Sequence, residues 1–151
     1  MNYDALLEEA DSHGILIKEK PLKANDGRIR GDQIIIRENM PVCQKACVLA
    51  EELGHYHTTA GDILDQSDIS NQKQERTARL WAYNKMITLE KLVSAKEEGC
   101  RNSYEIAEYL EVTEEFLLEA IECYGTKYGK GVQKDNYIIL FEPFNIYKMI
   151  D

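Results

Sequence analysis

Several familiar features are missing from this 151-residue chain, and each absence removes a class of function. No apolar run approaches the roughly 20 residues of a membrane span. The opening Met1-Asn2-Tyr3-Asp4 is acidic and carries no signal-peptide core, so a cytoplasmic protein is expected. There is no C-x-x-C pair among Cys43, Cys47, Cys100 and Cys123. Without a secretory signal, these are expected to be reduced thiols, mostly small buried apolar residues. No internal repeat and no low-complexity tail is present. Positive charge is also short: 18 basic residues face 27 acidic ones, for a net charge of -9. That balance opposes binding to polyanionic nucleic acid or anionic membranes and suits a positively charged protein partner.

What remains is an ordinary globular composition. At 44 % hydrophobic content the chain can bury a proper core, and its length is that of one domain, residues 1–151. Residues 2–11 read as a short amphipathic helix stopped by Ser12-His13-Gly14. Residues 15–22 read as a strand ended by Pro21. The turn signals Asp26-Gly27 and Gly31-Asp32 then lead into a second strand at 33–37, giving a small antiparallel sheet. Helical periodicity covers 40–59 and a long stretch, 72–96, joined by a polar connection around Gly61 and 65–71. Ser103 and Thr113 are good N-caps for two further helices, 103–110 and 113–124. Tyr128-Gly129-Lys130-Gly131 breaks the pattern before a late strand at 137–141. The fold class expected is α+β and mainly helical, with a core at about 1–97 and a C-terminal extension at about 100–151.

The richest stretch is Ala50-Glu51-Glu52-Leu53-Gly54-His55-Tyr56-His57. It reads as H-E-x-x-H with glutamate in place of the first histidine. In that pattern two metal ligands sit four residues apart on one helical face, and the glutamate between them is the general base on a metal-bound water. Here Glu51 and His55 take the ligand positions and Glu52 that of the base. Side chains at i and i+4 lie about one turn apart, so a carboxylate and an imidazole can converge on one ion. Cys43 and Cys47 continue the same four-residue step toward the N-terminus. Each step drifts about 40° round the axis, so core packing explains them better than ligation. His57, about 200° round from His55 in a continuing helix, reads as a surface or supporting histidine, though it could serve the site if the helix ended near Tyr56. Tyr56 reads as a packing residue and His13 as a contact to the end of the first helix.

A third ligand has to come from a second element. Glu75 opens the run Glu75-Arg76-Thr77-Ala78-Arg79-Leu80-Trp81-Ala82, whose small Ala78 and Ala82 permit close helix approach. An E-x-x-A-x-x-W-A run about 20 residues after E-E-L-G-H resembles the ImmA/IrrE family of metallopeptidases, in particular a phage-type subset. Residues 58–63, Arg79-Leu80-Trp81-Ala82-Tyr83, 104–110, 112–117 and Phe141-Glu142-Pro143 are similar to it as well. The resemblance implies a zincin-like minimal peptidase domain with a C-terminal helix-turn-helix-like helical pair. It implies His55 and Glu75 as metal ligands, Glu52 as catalytic base, and Glu51 where the full motif has histidine. It further implies a metal-dependent cytoplasmic endopeptidase acting on a helix-turn-helix repressor of a prophage or mobile element. Two carboxylates and one imidazole bring a divalent ion close to neutral, so bound water would be less acidified than at a two-histidine zinc site, where its pKa falls to about 7. Zinc is the first expectation, and oxygen-rich ligation widens the choice to manganese or iron. The same glutamate also raises the alternative of a non-catalytic anti-repressor with a degenerate site. Direct DNA binding by the helical pair is not expected, because Glu114, Glu115 and Glu119 occupy the face where a recognition helix carries basic or amide side chains.

Overall fold

A computed structural model describes residues 1–58 and 68–150, with side chains at 68–71 excepted. Residues 59–63 of the family resemblance and most of the expected 61–71 connection lie outside the described residues. The chain divides into two compact units, Met1–Met86 and Ile87–Asp151. Among the described residues no helix is long and apolar enough to cross a membrane.

The first unit contains α1 (Tyr3–Ser12), β1 (Leu16–Lys20), β2 (Gly27–Arg30), β3 (Gln33–Arg37), α2 (Val42–Thr58) and α3 (Asp68–Met86). Asn2 caps α1 by accepting from Ala5 N–H, and Gly14 adopts a positive φ of 73° just beyond its end. The sheet order is β1-β3-β2, with β1 parallel and β2 antiparallel to β3. The expected all-antiparallel sheet is therefore mixed. Its central strand is the most apolar one: Ile34 and Ile36 of β3 are fully buried, and a middle position gives that strand neighbours on both edges. Gly31, with φ 59°, makes the two-residue turn from β2 into β3. Leu6 and Ala10 of α1 and Leu49, Ala50 and Leu53 of α2 are fully or almost fully buried with these isoleucines.

The second unit contains α4 (Leu89–Glu97), α5 (Ser103–Leu110), α6 (Glu114–Tyr128), β4 (Gly131–Lys134), β5 (Tyr137–Phe141) and β6 (Phe144–Lys148). The single helix expected at 72–96 is two helices. Thr88 adopts extended backbone and its hydroxyl accepts from Lys91 N–H, so it starts a new helix instead of continuing the old one. The helical pair is present as α5 and α6, capped by Asn102 and Thr113, with α6 running on to Tyr128. β5 is joined by β4 and β6 in an antiparallel sheet that hydropathy alone does not reveal, because the two short outer strands mix few apolar residues with Gln133, Lys134, Asn145 and Lys148. Leu92, Leu117, Ala120 and Ile139 form the fully buried centre of this unit.

Candidate metal centre

The site is built where α2 and α3 cross. A β-carbon added to Gly54 would fall 2.3 Å from the Ala78 carbonyl oxygen, so only glycine lets the two backbones approach this closely. Ala78 and Ala82 are fully buried at the same contact. The crossing sets His55, next to Gly54, against Glu75, about one turn before Ala78. His55 Nε2 lies 3.2 Å from Glu75 Oε1. That is a direct imidazole–carboxylate contact, and it is also compatible with two donors about 2.0–2.1 Å from one tetrahedral ion, which stand about 3.3 Å apart.

Glu52 is half-buried beside the pair, and its carboxyl is pushed up to about 7, first by burial and then by the carboxylates of Glu51 and Glu75. A β-carbon at Gly27 would lie 3.1 Å from Glu52 Cγ and 3.2 Å from its Oε1. The glycine opening β2 therefore leaves the space in which Glu52 sits. Burial without a cation neighbour produces a carboxylic acid that titrates near neutrality, the range suited to general-base work at pH 7.

The donor chemistry fits a divalent ion in part. His55 and Glu75 converge from two helices, and the negative potential of Glu51 and Glu75 at Glu52 is what a cation would offset. The third donor is not gathered in: among the described residues no three His, Cys, Asp or Glu side chains lie close enough together to hold a metal. Glu51 acts on Glu52 electrostatically but does not complete a cluster with His55 and Glu75 in this arrangement.

The remaining sequence candidates sit apart from this pair. α2 continues through His57 to Thr58, and the His57 ring stacks on Trp81 at 5.1 Å while meeting His13 and Tyr56 edge-on at 5.2 Å. Burial, followed by the neighbouring His13, holds the His57 imidazole below its ordinary pKa. Tyr56 places its hydroxyl 3.4 Å from Asp32 Oδ1. His13 is the C-cap of α1. All four cysteines are free, but only Cys47 is buried; Cys43, Cys100 and Cys123 are partly exposed, which corrects the expectation that most would be core residues. Cys100 lies in the α4–α5 connection, where backbone polarity keeps the chain near solvent. Sequence reasoning missed Gly27 and Gly54 as site-forming residues. The available signal was the glycine directly before His55, at a helix position where glycine costs stability unless another backbone comes close.

No curated protein matches the chain. The sequence profile described as the IrrE N-terminal-like domain, a peptidase family, matches residues 10–122, well over half of the chain. Metallopeptidase function and a divalent metal go with that family. The arrangement of Glu52, His55 and Glu75 at the α2–α3 crossing falls inside the matched span, and this chain belongs to the IrrE N-terminal-like domain family.

Proposed function

We propose that this protein is a metal-dependent endopeptidase whose substrate is a helix-turn-helix repressor of a prophage or mobile element. The observation that carries the peptidase part is the 3.2 Å approach of His55 to Glu75 from two different helices, with the neutral-range carboxyl of Glu52 beside it. The repressor part rests on the family resemblance and on the acidic helices α5 and α6, a face to which a basic DNA-binding protein is drawn.

His55 and Glu75 would hold the ion, with Glu51 as the third donor after its side chain turns toward them. Bound there, zinc, or alternatively manganese or iron, would supply Lewis acidity toward the scissile carbonyl. Glu52 takes the proton of the attacking water as the carbon–oxygen bond forms, and returns it to the amine nitrogen as the carbon–nitrogen bond breaks. Burial keeps Glu52 basic enough for the first step and acidic enough for the second. The Gly27 backbone, leaving no side chain over Glu52, keeps that carboxyl reachable.

One observation favours a second reading. Glutamate stands at position 51, and the described residues do not assemble three donors. A non-catalytic anti-repressor, capturing its target without cutting it, needs only that much.

The deciding experiment pairs metal analysis with a cleavage assay. Protein purified without added metal is analysed by elemental mass spectrometry, together with His55→Ala and Glu75→Ala, and then mixed with a repressor encoded beside it. About one equivalent of metal, lost in both variants, with a metal-dependent cleavage product that Glu52→Gln abolishes, is expected. Stoichiometric release of intact repressor from its operator would select the anti-repressor. Failure to bind or cut any such repressor sinks both.

A further inference from the structure

The acidic balance of this chain conceals a cationic face made by strand register. Alternate residues of a strand share a face. Leu16, Lys18 and Lys20 of β1 stand beside Gln33, Ile35 and Arg37 of β3, and Arg30 and Arg28 of β2 stand opposite Gln33 and Ile35. Ile34 and Ile36 take the other face, buried in the core. Five cations thus share the outer face of a three-stranded sheet. Arg37 is committed to the β1–β2 loop, 3.3 Å from Asp26 and 3.1 Å from the Asn25 carbonyl. Lys18, Lys20, Arg28 and Arg30 are exposed. None of the four forms an ion pair among the described residues.

The cations form two rows, one on each edge strand, with Ile35 and Gln33 as the floor between them. A hollow of about 230 Å³ lies there, lined by Lys20, Arg28, Ile29, Arg30, Gln33 and Ile35. Charged residues on edge strands also guard against edge-to-edge pairing, but that purpose needs no hollow floored by Ile35 and Gln33. Within each row the cations are alternate residues, about 6.8 Å apart, and the rows lie about 9.6 Å from one another. An extended peptide repeats at the same 6.8 Å or so, so acidic side chains on its alternate residues meet a row one for one. Nucleic acid fits less well. The net charge of -9 repels a dense polyanion, and no aromatic ring stands on this face for a base to stack on.

We propose that the outer face of the β1-β3-β2 sheet binds an extended acidic segment of a partner protein, its carboxylates on Lys18, Lys20, Arg28 and Arg30 and an apolar side chain over Ile35. The site is independent of the peptidase reading, since Arg28 and Arg30 point away from the side of β2 on which Gly27 meets Glu52.

The test is fluorescence anisotropy with a labelled short peptide carrying Glu at alternate positions and Val between them. Saturable binding that weakens with added salt is expected. Charge reversal in Arg28→Glu with Arg30→Glu, and separately in Lys18→Glu with Lys20→Glu, should each weaken it by about tenfold or more. Lys148→Glu, on the second unit, should leave it unchanged. Circular dichroism checks that each double variant folds, with the corresponding glutamine variants as the milder pair. Absence of saturable binding at low salt, or equal binding by folded variants, overturns the proposal. So does a short DNA duplex that binds more tightly than the peptide and is lost in the same variants, because the face would then serve nucleic acid.

Discussion

Removing the charge of Glu52 should stabilise the metal-free protein, and by an amount that grows with pH. The carboxyl titrates at about 7 in the folded chain against an ordinary 4.5. Below pH 4.5 it is protonated in both states and costs folding nothing. Between 4.5 and 7 the unfolded chain has released the proton while the folded chain still holds it, so stability falls as pH rises. Above 7 both states are ionised and the penalty is complete, at about 3 kcal/mol before allowance for solvent. Between pH 5.5 and 8.5 the penalty grows by about 2 kcal/mol, and screening at a half-buried position trims the visible part to about 1–2 kcal/mol. The assay is urea unfolding of chelator-treated wild type and Glu52→Gln at several pH values across that range. The variant should gain on the wild type steadily toward alkaline pH. A stability difference that stays flat with pH would refute the claim that burial and the Glu51 and Glu75 carboxylates hold this proton. Adding a divalent metal should flatten the difference, because a cation at His55 and Glu75 offsets the same negative potential.

Gly54→Ala should destabilise the first unit by about 1–3 kcal/mol, since the new methyl meets the Ala78 carbonyl and forces α2 and α3 apart. It should also cut metal uptake by separating His55 from Glu75; thermal melting with metal titration checks both, and an unchanged melt would mean the crossing is loosely packed. Glu51→His restores the full H-E-x-x-H pattern and should raise zinc affinity by at least about tenfold, measured by competition with a chelating dye. Equal affinity would mean that position 51 does not face the ion. Thr88→Ala removes the cap of α4 and should cost about 1 kcal/mol in denaturant unfolding, with no change at the metal site. A loss of metal binding in that variant would contradict the placement of Thr88 and the His55–Glu75 pair in separate units.

The chain's own chemistry specified a good deal. Helical periodicity located α1, α2, α5 and α6 to within a few residues, and Thr113 caps α6 as its side-chain oxygen suggested, whereas α5 is capped by Asn102, one residue before the expected Ser103. One-turn spacing, a local property of a helix, singled out Glu51 and His55 with Glu52 between them, and Glu75 joined them only through the resemblance of its E-x-x-A-x-x-W-A run to a known family. Local signals could not split 72–96 into two helices, because Thr88 suits either a helix interior or a cap until packing decides. Nor could they find β4 and β6, four- and five-residue strands too short for their few apolar residues to set a pattern. Tertiary structure alone put β3 between β1 and β2, brought His55 within 3.2 Å of Glu75, and made Gly54 the point of contact. It also gathered Lys18, Lys20, Arg28 and Arg30 onto one face of an otherwise acidic protein. Residues distant in sequence become neighbours only through pairing register and helix crossing, and those are chosen by burial of the whole core, which no short window of sequence contains.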